Sequence, residues 1–223
     1  MKDFLATINT SFSSLIAGFE KEDYLKLDLS IHNTLLQEID FTSAEKMEKY
    51  IEKKLHLSSK KIGYGGYLEH RDLYNRSTYF NESQEEKRNI HIGLDIWSKA
   101  GSKVVTPLAG KVHSFKNNLN FGDYGPTLIL EHCIDDTIFY TLYGHLSLVS
   151  IENLEIGRYF KKGDVIATLG DSNVNGDYAP HLHFQIIHDI EEYQGDYPGV
   201  TSKSKLNFYS ENCPDPNLLL KID

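Results

Sequence analysis

The chain has only two cysteines, Cys133 and Cys213, in 223 residues. They are too few for a disulfide framework and too far apart for a Cys-x-x-Cys metal site, so both read as ordinary thiols. Long apolar runs are missing too. Nothing approaches the roughly 20 residues of a membrane helix, and mean hydropathy is -0.41. Positive charge is in short supply: 23 Lys and Arg stand against 32 Asp and Glu, a net -9 at pH 7. Residues 1–60 carry -2 of this and residues 61–223 carry -7. Neither part has the basic field that nucleic-acid phosphate or an anionic membrane calls for, so neither is an expected partner. The stretch from Phe4 to Phe19 is interrupted by Asn9, Thr10 and serines, with few basic residues before it. A signal peptide is therefore not expected, and the cytoplasm is the expected location.

What is present is the composition of a folded protein: 40% hydrophobic, 25% charged and 12% aromatic. That is not the low-hydrophobicity, high-charge signature of disorder. Three parts are expected. Residues 1–60 read as a partly helical N-terminal layer. Within it Thr42, Ser43, Ala44 and Glu45 have the form of a capping box. Met47, Tyr50, Ile51 and Leu55 follow near helical spacing, which predicts a helix over 43–55. Further helical turns are expected within 4–19 and 30–39. Residues 61–190 turn to short β-rich runs. Strands are expected at Ile90–Ile96, Lys103–Val105, Gly110–Phe115, Thr127–His132, Ile138–Tyr143, Asp164–Leu169 and His181–Ile187. The glycine-rich Gly63–Tyr67 is expected to be a loop or turn. Residues 191–223 form a C-terminal extension. The fold class is thus mainly β, an antiparallel sheet or barrel-like sandwich with a partly helical N-terminal segment.

Three histidine groups stand out. In Ile90–Ile96 the alternating Ile90, Ile92, Leu94 and Ile96 mark a strand, which puts His91, Gly93 and Asp95 together on its other face. Four residues of straight strand span about 13 Å, too far for two ligands of one metal. A metal pair would need a bend, which costs least at Gly93; the ordinary alternative is a buried His–Asp hydrogen bond. His181 and His183, two apart on a strand, face the same way while Leu182 faces the core. His145 follows the strand ending at Tyr143. Each group alone has an ordinary reading as a packed or solvated histidine.

Together, in this order and in a β-rich chain, they resemble the lysostaphin-type, or M23, zinc metallopeptidases. The likeness extends to Ala109-Gly110-Lys111-Val112, to Tyr124–His132, to Tyr140–Ser147, to Lys161–Ala167 and to His181-Leu182-His183-Phe184-Gln185, a motif core over about 88–188. The resemblance implies one zinc per chain held by His91, Asp95 and His183, with His145 and His181 as catalytic histidines that do not ligate it. Which histidine of the His-x-His pair is the ligand comes from the resemblance alone. Two neutral imidazoles and a carboxylate leave an open fourth position, the arrangement that activates water and polarises a carbonyl.

The implied activity is that of a zinc endopeptidase, acting on peptidoglycan-type cross-links or a related small peptide or amide. The alternatives are a non-catalytic M23-like binding or activator module and a zinc amidase with a non-wall substrate. The sequence departs from the family at Gln185, where Glu is usual, and at Ala179, where Gly often precedes the proline. His113 and His132 are expected in core or supporting positions and His188 in solvent. Arg88, Asn89, Asn120, Tyr124 and Tyr178 are candidates for the rim of a cleft. Residues 1–60 are expected to pack on the domain and restrict that cleft. Nothing in the sequence sets an oligomeric state.

Overall fold

The computed structural model describes residues 1–40, 43–72 and 87–223. Helix α1 (Lys2–Ile8) opens the chain, followed by strand β1 (Tyr24–Lys26), helix α2 (Ala44–Leu57) and β2 (Ile62–Gly65). The central run is β3 (Ile90–His91), β4 (Leu94–Trp97), β5 (Lys103–Val105), β6 (Gly110–Asn118), β7 (Gly125–Ile134) and β8 (Thr137–Gly144). Then come β9 (Tyr159–Phe160), β10 (Val165–Thr168), β11 (His181–Ile187), β12 (Val200–Thr201), α3 (Leu206–Asn212) and α4 (Asn217–Leu220).

Eight strands form one sheet in the order β1-β2-β4-β11-β8-β7-β6-β9, flanked by two-stranded pairs β10-β5 and β12-β3. The class is mainly β, as the short alternating runs predict. All pairs in the large sheet are antiparallel except β1 with β2. β11 is buried along its whole length, so both faces of the sheet are covered there. Leu182, Phe184 and Ile186 enter one core cluster with Leu94, Ile96, Leu128 and Leu130. His181, His183 and Gln185 lie on the opposite face, because strand side chains alternate.

The N-terminal residues are not a separate layer. β1 continues the sheet, with Leu25 opposite Gly63. Leu5, Leu15, Ile16 and Tyr24 share the main core with Leu219, Leu220 and Ile222 from the other end of the chain. Gly63 to Gly65 are strand, not loop. The glycines obscured it, and its parallel partner lies about forty residues earlier, beyond any local pattern. The helix expected within 4–19 stops at Ile8. Asn9 then donates to the Ser11 and Leu219 carbonyls at 2.8 and 2.7 Å, and the Ser14 hydroxyl to the Ile16 carbonyl at 2.5 Å. Such side chains compete with the helical ladder. Of 30–39, only Thr34–Glu38 turns, as a 3-10 segment. α2 is capped by Ser43, whose hydroxyl accepts from Lys46 N at 3.3 Å; Thr42 lies outside the described residues. α2 buries Met47 and Ile51 against Leu27, Leu29 and Trp97.

Candidate metal centre

The expected strand over Ile90–Ile96 is broken at Ile92 and Gly93 into β3 and β4. The break does what a straight strand could not: His91 Nε2 and Asp95 Oδ1 approach to 3.2 Å. β4 pairs with β11 so that Asp95 is opposite His183. His183 Nδ1 lies 3.3 Å from Asp95 Oδ1 and 2.9 Å from His91 Nε2. Glycine is needed at the break because the His183 ring occupies the space of its side chain. A β-carbon on Gly93 would stand 2.5 Å from both Cε1 and Nε2 of His183.

The hydrogen-bond partners place the protons. His91 Nδ1 donates to the Gly66 carbonyl at 2.9 Å, leaving Nε2 bare. His183 Nε2 donates to Gln185 Oε1 at 2.9 Å, leaving Nδ1 bare. Burial pushes the His91 imidazole down to about 4, so it is neutral at pH 7. Burial also works against a charged Asp95, yet His91 and the Arg71 guanidinium hold its carboxyl well below the usual carboxylate range. Three buried acceptors therefore crowd together without a proton to share, an arrangement that costs free energy unless a cation joins it. A tetrahedral zinc with bonds of about 2.0–2.1 Å sets its ligand atoms about 3.4 Å apart, close to the 2.9, 3.2 and 3.3 Å separations here. Two imidazoles and one carboxylate are also the donor types zinc takes, so the residues fit the ion.

His145 and His181 adjoin this cluster, their ring centroids 4.2 Å apart. His145 Nδ1 donates to the Asn175 carbonyl and His181 Nδ1 to the Ala179 carbonyl, both at 2.8 Å, which leaves each Nε2 unprotonated. His181 Nε2 is 3.8 Å from Asp95 Oδ1. Burial lowers both imidazoles, that of His145 well below its ordinary value, with His181 and His183 adding to the effect there. Both are thus neutral at pH 7. His145 has φ of 62°, a left-handed conformation uncommon for a non-glycine residue and typical of functional sites. Backbone bonds hold it there, from its own N–H to Tyr124 O and from Gly170 N–H to its carbonyl, each 2.9 Å.

All five expected site residues line one cavity of about 220 Å³. Arg88, Tyr124 and Tyr178 line it as well. Asn89 instead bonds His70, and Asn120 bonds Asp123. One wall comes from Leu29, Ala44 and Met47, so residues 1–60 do border the cleft; another comes from Tyr193 and 196–200. His132 is buried in the sheet between Ala109 and Thr141, and His188 is exposed. Both cysteines are free; Cys213 is buried, which pushes its thiol up to about 12, and it accepts from Gln185. Sequence reasoning missed Arg71, Glu69 and Trp97. Arg71 and Glu69 sit in a polar stretch that reads as surface, and nothing local tells that they turn inward. No helix among the described residues is long and apolar enough to cross a membrane.

Comparison with known proteins adds a family. Residues 89–195 match Peptidase family M23. Among solved structures, the antimicrobial peptidase lysostaphin from Staphylococcus simulans is similar at 25% identity and a TM-score of 0.40, over 59% of this chain and 44% of that one. Its catalytic domain alone matches at 22% identity and a TM-score of 0.40, over 70% of this chain and 96% of the domain. A zinc-containing peptidase from Vibrio cholerae matches at 28% identity and a TM-score of 0.36, over 44% of this chain and 27% of that one. The match thus spans less than half the length of that lysostaphin chain and of the Vibrio cholerae peptidase. No curated protein matches it.

Proposed function

With residues 89–195 belonging to peptidase family M23, we propose that the chain is a zinc-dependent endopeptidase. His91, Asp95 and His183 hold the ion, and His145 and His181 move protons. The observation that supports this best is the proton arrangement: three bare acceptors within 3.3 Å, each imidazole proton turned outward to a fixed partner. A bound zinc supplies Lewis acidity to a peptide carbonyl and to water in its open position. The rest is done by the chain. A neutral imidazole with a bare Nε2 accepts a proton from the attacking water and returns it to the leaving amine. His181 is suited to the charged interval because the Asp95 carboxylate lies 3.8 Å from its Nε2. Trp97, stacked on His181 with centroids 5.9 Å apart, keeps that ring in place.

The family resemblance points to peptide cross-links of the peptidoglycan type. The cavity favours a second reading of the substrate. About 220 Å³, walled by Leu29, Ala44 and Met47, is less than the roughly 300–1,000 Å³ of drug-sized ligand pockets. A short peptide or small amide suits it better than a polymer strand. The full chain should carry one zinc, lose hydrolysis of short peptides and of purified peptidoglycan on chelation, and regain it with zinc. Cleavage of peptides but not of polymer selects the smaller substrate. Bound zinc without hydrolysis of either means a non-catalytic binding module, and a chain that takes up no zinc overturns the proposal.

A further inference from the structure

Residues 69–71 lie antiparallel to 89–91: His91 N donates to Glu69 O and Arg71 N to Asn89 O, each at 2.9 Å, with His70 bridged to Ile90. Glu69 and Arg71, two apart on an extended segment, face the same way. Both turn inward beside the metal cluster. Arg71 is 2% exposed. Its Nε donates to Glu69 Oε2 and its Nη1 to Asp95 Oδ2, each at 2.5 Å. Its guanidinium carbon lies 5.9 Å from the centre of the Trp97 ring. The other oxygen of Glu69 accepts from Leu29 N at 3.0 Å. A continuous chain of hydrogen bonds therefore runs from the N-terminal segment through Glu69 and Arg71 to Asp95.

The two oxygens of Asp95 are used differently. Oδ1 faces His91 and His183, while Oδ2 is taken by Arg71. We infer that Arg71 is a positioning residue: by holding Oδ2, it offers a single oxygen of Asp95 to the metal and keeps a position open for substrate and water. Only a guanidinium has the planar fork to bridge two carboxylates in this way. Without it the Asp95 carboxylate is free to turn and present both oxygens, filling the place the reaction needs. Glu69 fixes the guanidinium, and the Leu29 N–H fixes Glu69. The inference rests on the metal-dependent reading above. It adds two residues outside the family-matched segment 89–195.

Cobalt(II) is the probe, because its visible absorption weakens as coordination rises from four to five. The full-length protein, Arg71→Met, and the charge-balanced pair Arg71→Met with Glu69→Gln are loaded with cobalt. The pair removes one charge of each sign, and the introduced amide oxygen can still accept from Leu29 N–H. Buried ion pairs replaced in this balanced way often leave stability unchanged, so the pair reports if the single variant does not fold. We expect metal still bound, a weakened and shifted visible band, and kcat lowered about 10- to 100-fold, the usual range for partners of metal ligands, with KM little changed. A folded variant whose cobalt spectrum superimposes on that of the unaltered protein overturns the inference, even if its melting temperature falls. Failure of the unaltered chain to bind cobalt or zinc overturns instead the metal reading beneath it.

Discussion

The His183 imidazole fills the space a side chain on residue 93 would take: a β-carbon on Gly93 would come within 2.5 Å of its Cε1 and Nε2. Bend and cluster are therefore one device. The break in the strand turns His91 and Asp95 together, and the missing side chain admits the third member of the cluster. Gly93→Ala should act on the metal site more than on the fold. Overpacking costs about 1–3 kcal/mol, which corresponds to roughly 5- to 150-fold in metal affinity. Chelator competition measures it, and an unchanged affinity would show that His183 does not need the space.

Ligation and proton transfer should separate by mutation. His183→Ala and Asp95→Ala should lose both zinc and activity. His145→Ala and His181→Ala should keep zinc and lose about 10²- to 10⁴-fold in rate. Metal content of each purified variant decides this, and an empty His181→Ala beside a loaded His183→Ala would reverse the roles.

Gln185 stands where the family usually has Glu, and the structure gives it work: its Oε1 accepts from His183 Nε2 at 2.9 Å. Its amide donates to Pro198 O at 3.1 Å and to Cys213 Sγ at 3.2 Å, which fixes the orientation of the acceptor. Gln185→Leu should free the imidazole to flip and weaken metal binding about 10- to 100-fold. Equal affinity in titrations of the two proteins would remove Gln185 from the site.

Removing residues 1–60 should not give a faster enzyme. It strips Leu5, Leu15, Ile16 and Tyr24 from the main core and the Leu29 donor from Glu69. Burial of each such side chain is worth about 1.5–3 kcal/mol, against a net domain stability of only about 5–15 kcal/mol. A chain beginning near Ile62 should fail to melt cooperatively. A truncated protein that melts cooperatively and hydrolyses peptides faster would restore the view of this segment as a detachable cover.

Stability should fall with acid through His132. Burial lowers this imidazole from its ordinary 6.5 to about 4. The unfolded chain then binds a proton between those values that the folded chain does not, so stability rises with pH across that window. The contribution is complete above about pH 6.5 and is lost as pH falls towards 4, up to about 3 kcal/mol. His132→Gln should melt with a shallower dependence on pH from 6.5 to 4 than the unaltered chain. Parallel curves would place the acid sensitivity elsewhere.

Alternation and turn residues placed most strands of residues 90–187 from local pattern, because a strand with buried faces writes its period into the sequence. Period put His91 with Asp95 and His181 with His183 on shared faces, but their reading as ligands or catalytic histidines came from the M23 resemblance; His91, Asp95 and His183 do converge. Local pattern failed where the structure depends on partners far along the chain. β2 hides among glycines because its neighbours are residues 24–26 and β4. Residues 9–16 leave the helix because Asn9 reaches the carbonyl of Leu219.

The residue types of the centre and their family were thus set by the sequence alone. Only the folded chain decided which nitrogen of each histidine faces the cluster. His91 turns Nε2 inward because Gly66 holds its other nitrogen, and His183 turns Nδ1 inward because Gln185 holds the opposite one. It also decided that Arg71, in a stretch that reads as surface, is buried against Asp95. Periodicity records which face of an element is covered, whereas a tautomer or an ion pair depends on a particular atom brought close by the rest of the chain.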